Sequence, residues 1–349
     1  MILDGKRILV TGGTGSLGQK LVKRLLAGEM GKPAKVTVFS RDEAKQHQMR
    51  LDFLHRKAAT DEIIYENSQQ ILSFRIGDVR DFASLTSALY DADVVFNAAA
   101  MKQVPTCEYA PFEAVQTNVI GAYNIIRAIR ENRLDIETVV GISTDKACKP
   151  INVMGMTKAL QERIFIEANR DLPQTRFICV RYGNVIASRG SIVPLFIEQI
   201  RNGGPVTITL PEMTRFLLSL DRAVDTVFAA VRDANRGETY VPQVPSARVV
   251  DIAKALMGDR EVDIKFIGIR PGEKIHEIMI SEEEVYRTIE RNGYYVILPI
   301  LPELRLEKSI KPALSAEYSS QHNNLPIEKI MELLQGASEE IEFFLQSVN

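Results

Sequence analysis

The chain has 349 residues, 45% of them hydrophobic and 25% charged, and a net charge of -2; this fits a globular protein of one large or two small domains and excludes a broad basic surface for nucleic acid. Three scattered cysteines (Cys107, Cys148, Cys179) and four histidines give neither a disulfide framework nor zinc spacing, and point to a reducing compartment, the cytoplasm. No apolar run reaches about 18–20 residues, so no membrane span is expected, and the N-terminus enters a strand directly, without a signal peptide.

Arg7–Val10 reads as a short apolar strand. It runs into Thr11-Gly12-Gly13-Thr14-Gly15-Ser16-Leu17-Gly18 and then a helical pattern of Leu21, Val22, Leu25 and Leu26. Glycines at 12, 15 and 18 allow a tight turn whose backbone N–H groups approach a pyrophosphate at a helix N-terminus. With a strand before and a helix after, the loop reads as a dinucleotide site contacted by Gly12, Thr14, Gly15, Ser16, Leu17 and Gly18. Lys35–Phe39 is the second strand and ends in Ser40-Arg41-Asp42. A guanidinium there matches a ribose 2′-phosphate, so Arg41, helped by Ser40 and Lys45, favours NADP; Asp42 keeps NAD open.

Residues 43–70 are polar, with a helical part at 44–57 and a loop. Ile71–Ile76 is the third strand; after it, Asp78 and Val79 are candidates for the adenosine end, and Asp81 caps a helix starting at Phe82. Val94–Phe96 is the fourth strand. The small residues Ala98, Ala99 and Ala100 after it let backbone lie close to the cofactor, and Lys102 points over the site toward cofactor and substrate. Pro111–Arg130 reads as one long helix. Asn118 interrupts its apolar side and is counted with the cofactor residues: it either orders backbone near the site or bonds along the helix. Thr138–Ile142 delivers Ser143, Thr144, Asp145 and Lys146 at its carboxyl end, where ligands bind in open α/β sheets. A helix over about 153–168 carries Met154 and Lys158, and Phe177–Val180 leads into Arg181-Tyr182-Gly183-Asn184-Val185.

Alternating strands and helices over 1–185 predict an α/β, Rossmann-like doubly wound parallel sheet. After 185 the pattern loosens. Helices at 192–201, 222–233 and 249–257, a strand at 206–210 and the basic turn Arg270-Pro271-Gly272-Glu273-Lys274 are expected to form a smaller α/β substrate domain over 186–295. The segment 296–349, with four prolines and a last helix at 327–345, reads as a tail that packs on the body or a neighbouring copy.

Together these motifs, with Pro150-Ile151-Asn152 and Arg189-Gly190-Ser191, resemble the extended short-chain dehydrogenase/reductase family across residues 5–280. More narrowly they resemble the inverting UDP-N-acetylglucosamine 4,6-dehydratases. That family carries Tyr-x-x-x-Lys; here Lys158 is present but Met154 holds the Tyr position, as in a capsule and O-antigen branch that couples dehydration to 5-epimerisation. The resemblance implies bound NADP, a UDP-N-acetylhexosamine substrate, the product UDP-2-acetamido-2,6-dideoxy-β-L-arabino-hexos-4-ulose, and a homo-oligomer, hexamer or dimer. Lys146 is the candidate base at C5, which requires it to be partly neutral through burial or a neighbouring cation. Asp145 is the candidate acid for the C6 hydroxyl, which requires a raised pKa. Thr144 is expected to bond the C4 hydroxyl, Lys158 the nicotinamide ribose, and Tyr182 the cofactor. Met154 has no proton to exchange, so the C4 base stays open between Lys146, a water on Thr144 and a residue brought in by closure. Arg215 and Arg270 are the leading ligands for the UDP moiety, followed by Arg189, Asn184 and Glu273. Two rivals remain: a nucleotide-sugar 4-epimerase, which needs the Tyr and no Asp-Lys pair, and a non-catalytic NADP(H)-binding scaffold or sensor.

Overall fold

Short Val-, Ile- and Phe-rich runs separated by polar turns suit strands covered by helices on both sides. In the computed structural model, which describes residues 1–53, 71–186, 191–306, 309–337 and 341, these runs are β1 (Arg7–Thr11), β2 (Lys35–Ser40), β3 (Leu72–Ile76), β4 (Val94–Asn97), β5 (Thr138–Ile142) and β6 (Arg176–Val180). Between them lie α1 (Ser16–Leu26), α2 (Glu43–Phe53), α3 (Phe82–Leu89), α4 (Val104–Tyr109), α5 (Pro111–Ala114), α6 (Gly121–Asn132) and α7 (Val153–Asp171). The strands pair in parallel in the order β3-β2-β1-β4-β5-β6. The expected helix over 111–130 is interrupted by a π-helical turn at Val115–Ile120. Such a turn holds an extra residue and re-aims its side chains, and Asn118 within it is fully buried. The expected helix at 44–57 is described as far as Phe53.

The second half contributes α8 (Ile192–Arg201), β7 (Val206–Ile208), β8 (Thr214–Phe216), α9 (Leu220–Asp233), β9 (Thr239–Pro242), β10 (Ser246–Arg248), α10 (Val249–Met257), β11 (Ile264–Phe266) and β12 (Ile278–Ile280). It continues with α11 (Glu282–Val285), β13 (Thr288–Arg291), β14 (Tyr294–Ile297), β15 (Tyr318–Ser319) and α12 (Ile327–Gly336). β9 joins the main sheet parallel to β6, and the β13–β14 hairpin extends it antiparallel to nine strands among the described residues. The division expected at 185 therefore runs through this sheet. What remains forms a smaller lobe around Phe196, Ile208, Met213 and Val249, and around Leu217, Ile252, Ile330 and Leu334. The tail packs on its own chain: β15 pairs with β12, and α12 brings Ile330 and Leu334 into that lobe. On the main sheet, Leu21, Val22 and Leu25 of α1 and Val224, Val227 and Phe228 of α9 belong to one core cluster, while Leu85, Ile125, Ile126 and Phe165 from α3, α6 and α7 belong to the other.

One buried guanidinium fastens the two lobes. Arg181, directly after β6, donates to Glu162 of α7 at 3.0 and 2.6 Å, to Glu284 of α11 at 2.7 and 3.1 Å, and to the Met279 carbonyl at 2.8 Å. Burial pushes the Glu284 carboxyl up, but Arg181 and then Arg287 outweigh it and hold it at about 2, against an ordinary 4.5. Because this folded value lies below the unfolded one, the stabilisation is complete above pH 4.5 and fades as pH falls toward 2. Glu284→Gln is expected to cost about 3–5 kcal/mol at neutral pH by leaving a buried cation under-paired. Urea unfolding at several pH values checks both parts: the gap between variant and wild type should narrow below pH 4.5.

Candidate active site

The carboxyl ends of β1, β4, β5 and β6 share one edge of the sheet, and the strand order reverses between β1 and β4, where open α/β sheets bind ligands. Gly12 has φ +66, and a Cβ there would lie 2.7 Å from the Cα and N of Ala99. The loops after β1 and β4 thus touch through a glycine that no other residue could replace without strain. Thr11 ties them from below, its Oγ1 donating to Asn97 Oδ1 at 2.8 Å and accepting from Ala99 N at 3.2 Å. Thr14 is buried, and Gly15, Ser16 and Leu17 open α1 with no side-chain cap on its first N–H groups. Those groups need an acceptor, which an anion provides.

At the other end of this groove, Ser40 is buried and accepts from Gln46 Nε2 at 3.0 Å. Arg41 is exposed and lies 3.5 Å from Asp78, whose carboxylate is gripped more closely by Arg80 at 2.7 Å. Burial raises the Asp78 pKa, but Arg80 and Arg41 outweigh it and keep it low. Lys45 is turned to Asp42. Val79 is buried in the core, beneath Gly121 at the start of α6. Ala98–Ala100 become progressively more exposed beyond β4, and Lys102 stands exposed at the end of their loop. Asn118 spends its amide on protein: Oδ1 accepts from Met101 N at 2.8 Å, and Nδ2 donates to Met101 O at 3.0 Å and Thr157 Oγ1 at 2.9 Å. It orders the loop after β4 against α7 rather than reaching for a ligand. Tyr182 likewise sits in the core and meets the site through its carbonyl, which accepts from Asp145 N at 3.0 Å.

The turn after β5 concentrates the charge. Thr144 caps a short 3-10 turn, Asp145–Ala147, in which Asp145 is fully buried. Asp145 Oδ1 accepts from Thr144 Oγ1 at 2.7 Å and from Lys146 Nζ at 3.0 Å. Glu277, just before β12, presents Oε1 to the same ammonium at 3.2 Å and to Arg215 Nε at 3.8 Å. Burial raises the Asp145 pKa; Lys146 opposes this and the Glu277 charge adds to it, so the net shift is upward from the ordinary carboxyl value. Lys146 differs from expectation. Burial lowers its pKa, but Asp145 and Glu277 outweigh burial and hold it protonated, so the anticipated shift to a neutral amine is absent. Lys158 is buried, donates to Gln161 Oε1 at 2.7 Å, and is pushed down to about 8 by burial. Met154 packs with Cys107 and Ala114 in an apolar cluster.

From the smaller lobe, buried Arg215 donates to the carbonyls of Thr214 and Ile275 at 2.7 and 3.0 Å and stands 3.5 Å from Glu273. Arg270 is exposed on the neighbouring turn. That turn is clamped to the Asp145–Lys146 side twice: Asn152 Nδ2 donates to Gly272 O at 2.7 Å, and Lys274 Nζ to Cys148 O at 2.6 Å. Asn184 Oδ1, Asp145 Oδ2 and Glu277 Oε2 are buried without a partner among the described residues. Arg189 lies outside the described residues.

The model of the polysaccharide biosynthesis protein family matches residues 8–299. The chain belongs to this family. Its structure is similar to those of extended short-chain dehydrogenase-type nucleotide-sugar dehydratases and epimerases, the resemblance that the motifs implied. A Rickettsia bellii protein named UDP-glucose 4-epimerase is 42% identical over 345 residues, 96% of each chain. The X-ray structure of Pen from Bacillus thuringiensis superposes with a TM-score of 0.85 at 31% identity, covering 97% of this chain and 99% of that one. DesIV, a dTDP-glucose 4,6-dehydratase from Streptomyces venezuelae solved with NAD and TYD bound, gives a TM-score of 0.64 at 20% identity over 77% and 86% of the two chains, a likeness of fold alone.

Sequence reasoning passed over Glu277 and the Glu162–Arg181–Glu284 cluster. A charged residue directly after an apolar strand was the available sign for Arg181; Glu277 carried none, because its partners come from β8 and the turn after β5. Gly155, in the first turn of α7, is the tightest point of the site: a Cβ there would lie 2.2 Å from Lys146 O. Gly155→Ala is expected to push the Asp145–Lys146 turn away from α7 and destabilise the fold by about 1–3 kcal/mol, the usual cost of overpacking. Thermal unfolding checks the second effect, and loss of whatever activity the wild type shows checks the first.

Proposed function

We propose that the protein is an inverting UDP-N-acetylglucosamine 4,6-dehydratase forming UDP-2-acetamido-2,6-dideoxy-β-L-arabino-hexos-4-ulose, with NADP as its resident cofactor. The observation that carries this reading is the buried Asp145 beside Lys146 at the carboxyl end of β5, a carboxyl whose pKa burial, with Glu277 adding to it, raises above the ordinary value. Dehydration needs such an acid to protonate a departing hydroxyl; epimerisation at C4 does not. A nicotinamide cofactor fits the chain, since the Gly12 cradle brings two loops to backbone contact before an uncapped helix start, and Ser40 and Arg41 at the end of β2 are the residues that would hold a 2′-phosphate. When bound, it supplies reversible hydride acceptance from C4 and its return at C6.

The chain's own groups handle the protons and the charge. Asp145 gives its proton to the leaving C6 oxygen. Lys146 takes the C5 proton once its own has been released, and inversion requires C5 to receive its new proton on the opposite face from a different donor. Thr144 orients the C4 hydroxyl and can hold a water there. The proton on that hydroxyl has no acceptor at position 154, because Met154 is packed among apolar neighbours. Lys158 offers its amine to the nicotinamide ribose. Arg215 and Arg270, with Asn184 and Glu273, receive the UDP half across the cleft.

A second reading, a UDP-sugar 4-epimerase, draws on the name of the 42% identical Rickettsia bellii relative. Mass separates the two. Incubation with UDP-N-acetylglucosamine in D₂O is expected to remove one water, place deuterium at C5 and produce a C6 methyl resonance. Unchanged mass with an altered C4 signal would establish the epimerase instead. Asp145→Asn is expected to lower kcat by about 10²–10⁴-fold, the usual value of a positioned proton donor. Arg41→Ser is expected to weaken NADP binding while leaving NAD binding nearly unchanged; fluorescence titration with each dinucleotide reads this directly.

A further inference from the structure

The ammonium of Lys146 meets a carboxylate that its own lobe does not supply. Glu277 belongs to the segment leading into β12, yet its side chain is buried and its Oε1 lies 3.2 Å from Lys146 Nζ. Its backbone is fixed on both sides of Ser320: Glu277 N donates to Ser320 Oγ at 2.9 Å, and Ser320 N donates to Glu277 O at 2.8 Å. Ser320 Oγ in turn lies 2.8 Å from Thr214 Oγ1, so β8, the approach to β12 and the end of β15 hold this glutamate in place together. Oε2 is buried with no partner among the described residues, an arrangement that solvation alone would not maintain.

We infer that Glu277 is a positioning residue that sets the protonation of the Asp145–Lys146 pair from across the cleft. Its carboxylate holds the proton on Lys146 by attraction and the proton on Asp145 by repulsion. Groups facing it are Lys146 and Asp145 from the turn after β5, Arg215 from β8 and Lys274 from the adjoining turn; His276 beside it is directed to Thr214 Oγ1 instead. Burial raises the Glu277 pKa, but Lys146, Arg215 and Lys274 outweigh it, so the carboxylate stays ionised. Removing that charge relieves Lys146 of an anion and Asp145 of a like charge. Both groups then release their protons at lower pH. One substitution should therefore move the onset of amine behaviour at Lys146 and the loss of acid behaviour at Asp145 in the same direction.

What Lys146 does to a sugar rests on the dehydratase reading; what Glu277 does to Lys146 does not, and two measurements on the full-length protein separate them. The first is pH-dependent competitive labelling with acetic anhydride, read by mass spectrometry at Lys146. Glu277→Gln is expected to shift the labelling midpoint downward by about 1–3 pH units, the size expected of an opposite charge at this range, while Glu277→Asp keeps it near the wild-type value. The second is the pH profile of C5 deuterium incorporation and water loss from UDP-N-acetylglucosamine, whose two limbs should both move to lower pH in Glu277→Gln. A purely structural role would lower the rate without moving either limb. A shift in labelling without any turnover by wild type would retain the inference and remove the dehydratase reading. An unmoved labelling midpoint in folded Glu277→Gln overturns the inference whatever the turnover. If that variant does not fold, wild-type Lys146 decides: labelling at or below the pH of the protein's exposed lysines also overturns it.

Discussion

The site depends first on a guanidinium removed from water. Arg181 is 3% exposed, and a cation in that position is tolerable only if its fork is filled by carboxylates. Glu162 and Glu284 fill it from α7 and from the smaller lobe. Ser143, the residue before Thr144, also donates to Glu162, so the same cluster fixes the exit of β5. The direction in which Asp145 and Lys146 leave the sheet is thereby settled by the Arg181 cluster. Planarity matters here: Lys in place of Arg181 would offer a point charge where two bidentate partners need a flat fork.

Around that anchor, close backbone approach does what side chains cannot. Gly12 lets the loops after β1 and β4 meet, and Gly155 lets the first turn of α7 rest on Lys146 O. Asn152 completes the second contact from both ends, capping α7 through Gly155 N at 2.8 Å while donating to Gly272 O in the other lobe. Charge is then apportioned within this rigid frame. Two carboxylates share one ammonium, and burial decides that the more enclosed pair cannot both be ionised without penalty.

The first 180 residues were legible because the strands are short apolar runs, all but β6 with glycine, serine or aspartate at one end, and the residues at their carboxyl ends face the ligand edge by topology alone. Asp145 and Lys146 were singled out in this way. The charge on Lys146 was not, because it is held by Asp145 together with Glu277, and local pattern cannot pair Glu277 with it. Asn118 was recognised as an anomaly on an apolar face, but the π-turn that buries it has no distinct period. The β13–β14 hairpin carried a readable sign, Asn292-Gly293 with φ of 52 and 77. It was hidden by Glu290 and Arg291, charged residues in a strand at the sheet's outer end.

The chain crosses to the smaller lobe after β6 and returns to the main sheet twice, at β9 and at β13–β14. The smaller lobe is consequently not a cassette. A chimera joined near residue 185 would leave β6 as a bare edge and would separate Arg181 from one of its two carboxylates. Diversification of specificity within such a framework has to proceed through substitutions on the cleft walls, with the recognition surface inherited as part of the same folding unit that carries the chemistry.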